Sequence, residues 1–144
     1  MSFSSRRDAI SEILGLFRTA WLGAGQSDDR VKYDNVGKSA VPSGQTPWAR
    51  VVLRHTDSDQ ASLSGANGTQ RWERTGLLTV QIFTPPGKGL AESTDLPTII
   101  QNAYEGQTTA SGAWFRDVAV NEVGPDGDFY QTNVVAIFEY DEIK

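Results

Sequence analysis

The stretch Arg71-Trp-Glu-Arg-Thr-Gly-Leu-Leu-Thr-Val-Gln-Ile-Phe-Thr84 constrains the fold more than any other part of the chain. In an extended backbone Leu78, Val80 and Ile82 fall on one face and Leu77 and Phe83 on the other, so both faces are expected to be partly covered. Turn chemistry bounds it on each side. Ser62 to Gln70 contains Asn67-Gly68, a favoured pair for positive φ between paired strands. Pro85-Pro86-Gly87-Lys88-Gly89 stops the strand, because proline cannot donate to a ladder and glycine turns readily. A strand of this kind belongs in the middle of a sheet.

Its neighbours are legible from the same rules. Trp48 to His55 alternates Ala49, Val51 and Leu53 with Arg50 and Arg54, the period-two pattern of a half-buried strand. Trp114 to Val123 and Phe129 to Tyr140 flank Gly124-Pro-Asp-Gly-Asp128 and predict an antiparallel hairpin, with Glu139, Asp141 and Glu142 ending the last strand in solvent. A further β-prone piece, Val31 to Tyr33, precedes a loop from Asp34 to Thr46. From Ser5 to Trp21, Ile10, Ile13, Leu14, Phe17 and Trp21 recur at the spacing of one helix face, with Ser5 as cap and Gly23 and Gly25 as the stop. A second helix is expected with its cap near Thr94 or Asp95, Pro97 in the first turn, and Leu96, Ile99, Ile100, Ala103 and Tyr104 on its apolar face. The order is neither regular βαβ alternation nor all-β. It predicts an α+β fold, two helices on one face of a mostly antiparallel or mixed sheet, with residues 1–144 as one domain.

The residue inventory argues against most chemistry. A formal charge of −5 disfavours a dominant phosphate-binding face, so nucleic acid is not an expected partner. The chain has no cysteine and one histidine, His55, which removes thiolate metal sites and His-His pairs. Asp57-Ser58-Asp59 and Asp126-Gly127-Asp128 read as turn carboxylates rather than a calcium loop, which needs a longer run of ligands. Gly87-Lys88 lacks the upstream glycine and following hydroxyl of a phosphate loop. No metal, no cofactor and no catalytic residues are therefore expected. The first twenty residues carry Arg6, Arg7, Asp8 and Glu12 where a secretion signal is unbroken and apolar, and no window is apolar enough to span a membrane.

Aromatic and basic residues are the remaining candidates. Trp21 and Trp114 are expected in the core or at its rim, while Trp48 and Trp72 begin strands beside long loops, where core and subunit-edge placements are both open. Arg50, Arg54, Arg71 and Arg74 lie on polar strand positions. They form either a solvated sheet face paired with Glu73 or Asp59, or a patch complementary to a neighbouring subunit.

Taken in order, the N-terminal helix, Pro42 to Arg54, the Gly76-Leu-Leu-Thr-Val-Gln-Ile82 strand, Pro85-Pro-Gly-Lys-Gly89 and the closing Asp126 to Tyr140 segment resemble the small tail-terminator, or tail-completion, proteins of long-tailed bacteriophages. Each motif alone is only a strand with a turn, and the specificity lies in their order over nearly the whole chain. Pro97 departs from the family's second helix. The resemblance implies a non-enzymatic virion protein of the tail-neck region, assembled in the host cytoplasm. It would form a ring, usually a homohexamer, that caps the tail tube, stops its polymerisation and offers a surface for head-tail joining. The implied partners are further copies of the chain, the major tail tube protein and a head-closure or connector protein. On that reading Gly65, Asn67, Gln70, Arg71, Trp72, Arg74 and Trp48 are the expected subunit or tube contacts. Reversing Arg71 and Arg74 to Glu is then expected to spare folding and weaken ring assembly. The rival readings are a head-tail connector and a small ligand-binding or enzyme domain.

Overall fold

The computed structural model describes residues 5–33, 46–62, 68–87 and 90–144. Helix α1 runs Arg6–Gly23, and its Ser5 cap accepts a hydrogen bond from the Asp8 amide at 3.2 Å. A single 3₁₀ turn, Asp28–Arg30, leads into β1, Val31–Tyr33. Then follow β2 (Trp48–Gln60), β3 (Arg71–Thr84), α2 (Ala91–Tyr104), β4 (Trp114–Asp126) and β5 (Phe129–Ile143). The five strands form one sheet in the order β1-β2-β3-β5-β4, with β3 central as its two-faced pattern requires. Only β1 and β2 are parallel, so the sheet is mixed and the fold is α+β.

Both helices pack on one sheet face. Ala9, Ile13, Phe17 and Trp21 from α1 and Leu96, Ile100 and Tyr104 from α2 meet Ala49, Val51, Leu78, Val80, Ile82, Val134, Ala136 and Phe138, all buried. Each of the last eight residues is one member of an alternating pair, so the period-two pattern decides which strand residues form this core. The Tyr104 hydroxyl donates to the Ile13 carbonyl at 2.8 Å and ties the helices together. Glu12 accepts from the hydroxyl of Ser111 at 2.6 Å and from its amide at 3.1 Å, which fastens α1 to the loop ahead of β4.

Four expectations are corrected. Strand β2 does not end at His55 but continues to Gln60 through a bulge between His55 and Asp57, so Asp57 and Asp59 are strand residues, not turn residues. Strand β5 likewise runs past Tyr140 to Ile143, and Asp141 and Glu142 are taken up in ion pairs with β3. Helix α2 begins at Ala91, which places Pro97 in its interior. Proline supplies no amide to the Ser93 carbonyl, and the Thr132 hydroxyl of β5 donates to that carbonyl instead, at 3.4 Å. Leu96, Ile100 and Tyr104 take the inward positions of this helix, and Ile99 faces outward, 40% exposed. Finally, Trp114 is 44% exposed, because the bulge between Phe115 and Asp117 gives the inward position to Phe115. The Asp34–Thr46 loop expectation falls almost wholly on residues 34–45, outside the described residues.

Candidate functional site

Among the described residues the opposite face of the sheet carries no helix, and strand registers arrange its side chains in rows. At one end Trp48 pairs with Phe83, and the next row is Arg50, Gln81 and Asn133. The middle rows are Val52, Thr79, Val135 and Ala119, then Arg54, Leu77, Ile137 and Asp117. Beyond the β2 bulge come Asp57, Thr75 and Glu139, then Asp59, Glu73 and Asp141. The face is thus aromatic and basic at one end, apolar in the middle and acidic at the other.

The aromatic end is a second, smaller core. The Trp48 and Phe83 rings stack with centroids 4.1 Å apart, and Phe129 stands edge-on to Trp48 at 6.0 Å. Two cations lie over the indole, the Arg50 guanidinium at 5.6 Å and the Lys32 ammonium at 5.8 Å. Arg50 also donates to the Gln81 side-chain oxygen at 3.2 Å, which holds its head group on this face. A cavity of about 260 Å³ opens here between Trp48, Arg50 and Phe83 and the carboxylates Asp126 and Asp128 of the β4–β5 turn. Trp48 is 2% exposed, and its indole N–H has no hydrogen-bond partner among the described residues.

The expected contact residues divide between the two ends. Trp48 is opposite Phe83, whereas Arg71 is opposite Ile143. Phe83 and Arg71 lie twelve positions apart along β3, a span of about 40 Å. Around Arg71 the β2–β3 hairpin and the end of β5 make a three-stranded arm. The Gln70 carbonyl accepts from the Lys144 amide at 2.9 Å, and the Trp72 indole donates to the Lys144 carbonyl at 3.1 Å. Arg71 is 3.5 Å from Asp141, and Arg74 is 3.1 Å from Glu142 with its guanidinium 5.8 Å from the Trp72 ring centroid. These β5 carboxylates, not Glu73 or Asp59, are the partners of the two arginines. Arg74 is buried on the helix side, away from Arg50, Arg54 and Arg71, so the four arginines make no single patch. Gly65 and Asn67 lie outside the described residues.

Sequence reasoning missed the apolar centre of the open face, Val52, Leu77, Val135 and Ile137. The signal was present in the alternation, but assigning these side chains to one surface needs the register between strands, which no single strand encodes.

His55 Nε2 lies 2.6 Å from the Tyr140 hydroxyl and edge-on to Phe138. Burial lowers the pKa of His55 and raises that of Tyr140, so the pair is held uncharged at neutral pH. Among the described residues no three His, Cys, Asp or Glu side chains are grouped to hold a metal, and no helix is long and apolar enough to cross a membrane.

A small α+β unit with one sheet face that no described element covers, and with its chemistry-bearing groups dispersed, has the form of a subunit in an assembly. The chain belongs to the phage tail terminator protein family, whose model matches residues 13–131, and it is accordingly a bacteriophage tail protein and a virion component. Twelve solved chains match it. One of them, whose name states no function, has a TM-score of 0.59 and 14% identity over 88% of this chain and 94% of its own, a likeness of fold alone. No curated protein matches.

Proposed function

We propose that this chain acts without catalysis, as the ring that caps the tail tube, ending its polymerisation and presenting the surface on which the head is joined. The observation that carries the reading is the family match across residues 13–131 together with a sheet face that no described element covers. A tube end is a heterologous interface that adds subunits without limit, and a ring with one tube-like face and one different face stops it by shape. The partners are further copies of the chain, six in the family's usual ring, the major tail tube protein and a head-closure or connector protein.

Contact through faces and projecting arms suits this chain better than strand addition at its β4 edge. That strand carries bulges at Phe115/Asp117 and Glu122/Gly124, a proline at 125, and the charges Arg116, Asp117, Glu122 and Asp126. Such devices guard a sheet edge against pairing with another chain. The arm with Gln70, Arg71 and Trp72 on its flank is the proposed contact to a neighbour or the tube, and Gly65 and Asn67 of the connecting sequence are proposed to take part in it. Arg74 supports the arm from inside through Glu142.

The test is deletion of this gene alone from its source genome, followed by electron microscopy of the particles. Headless tails of irregular or excessive length are the expected result. Full-length tails of normal length joined to heads would overturn the proposal.

A further inference from the structure

The open face holds both halves of a complementary contact, at places one copy cannot bring together. Arg50 and Asp57 lie on the same face of β2, opposite Gln81 and Thr75 of β3. They are about 20 Å apart along the strand and cannot pair within the chain. At the acidic end Asp59, Glu73 and Asp141 stand side by side on three adjacent strands. Like charges directly opposite are destabilising, and Arg71 on Asp141 is the ion pair within that row.

We propose that two copies of this chain pair through the sheet face that no described element covers, sheet against sheet with strands reversed, around a two-fold axis through its apolar centre. Placed between the Val52–Thr79–Val135 row and the Arg54–Leu77–Ile137 row, the axis sets each row on the other copy of its counterpart. In the middle Val135 meets the partner's Ile137, Leu77 meets the partner's Thr79, and Val52 meets the partner's Arg54. Arg50 faces the partner's Asp57, and the Trp48 and Lys32 corner faces the partner's Asp59, each contact occurring twice. Stacked sheets pack with strands about 30° apart. At the Arg50 row that angle shifts side chains by about one strand spacing, within the reach of arginine. Four strands and the rows from Trp48 to Asp59 span roughly 19 by 36 Å, about 700 Å² per copy, and two such faces fall in the size range of specific interfaces.

An isologous pair closes on itself. It is therefore a species distinct from the capping ring, a form that keeps this face covered before the chain reaches a tail, and it is measured with no tail component present.

The experiment is sedimentation of the purified chain across a concentration series, for wild type, Arg50→Asp, Asp57→Arg and an equimolar mixture of the two variants. Asp57 is exposed, so its substitution does not threaten the fold, and circular dichroism checks both variants. The wild type is expected to be a dimer that dissociates on dilution. Each variant alone should bind itself at least about tenfold more weakly, since every substitution acts twice across the axis and sets like charges together. The mixture should recover the dimer. In it the carboxylate introduced at position 50 of one chain meets the guanidinium introduced at position 57 of the other, and the unaltered Arg50 and Asp57 meet in the second contact. A monomer or a hexamer at all concentrations, single variants that dimerise like wild type, or a mixture that stays monomeric would each overturn the pairing.

Discussion

Gly76 lies in a strand, where alanine ordinarily stabilises by about 0.4–1 kcal/mol through a less flexible unfolded chain. Gly76→Ala in this protein is expected to do the reverse. Gly76 pairs with Phe138 across β3 and β5, and a Cβ added there would overlap the Phe138 ring and come within 2.6 Å of the Arg54 carbonyl oxygen. Neither obstacle gives way easily. Phe138 is fully buried, with His55 edge-on at 5.5 Å and Tyr140 stacked at 6.2 Å. The Arg54 carbonyl belongs to the backbone of β2. Overpacking a rigid core costs about 1–3 kcal/mol, and two obstacles put this site near the upper value. For a chain of this length about 3 kcal/mol corresponds to a fall in Tm of roughly 6–12 °C. Urea unfolding followed by Trp fluorescence measures it. Phe138→Leu in the same chain removes the ring overlap but leaves the carbonyl, so the double variant should lose at least about 0.5 kcal/mol less than the two single losses combined. A Gly76→Ala protein as stable as wild type, or strictly additive losses, would refute the steric account.

Tyr104→Phe deletes the buried hydrogen bond to the Ile13 carbonyl that joins the two helices; a loss of about 1 kcal/mol is expected by thermal or urea unfolding. Arg74→Glu places two carboxylates where the pair with Glu142 now lies, with both side chains largely buried. This should cost about 3 kcal/mol, so the variant does not spare folding, whereas Arg74→Glu with Glu142→Arg should recover most of the loss. Glu12 has a carboxylate pKa lowered chiefly by the Ser111 hydroxyl. Its folded pKa lies below the unfolded value, so its stabilisation is present above about 4.3 and fades as pH falls through the lowered pKa. Glu12→Gln should therefore flatten the pH dependence of stability in that acidic window, and an unchanged slope would contradict the assignment.

The sheet was largely legible because alternation survives wherever one strand face is buried. Leu78, Val80 and Ile82 on β3, and Val134, Ala136 and Phe138 on β5, all face the helices. The α1 stripe was equally plain, with Ser5 at its cap. Pro97 was misleading because its cost inside a helix is offset by Thr132, a residue distant in sequence that occupies the freed Ser93 carbonyl. Strand ends were misjudged where polar residues continue a ladder, as from Thr56 to Gln60, since backbone pairing needs no apolar side chain. Trp48 and Arg71 looked like members of one surface because both begin strands. Antiparallel pairing sends the starts of β2 and β3 to opposite ends of the sheet.

The most direct test of the capping account is growth of tail tubes from purified tube protein with this chain added in small amounts. The account predicts that elongation halts once each tube carries one terminal ring, with tube length set by the amount of cap and the added chain found only at tube ends. Tubes that lengthen at an unchanged rate, or the chain distributed along their sides, would contradict it.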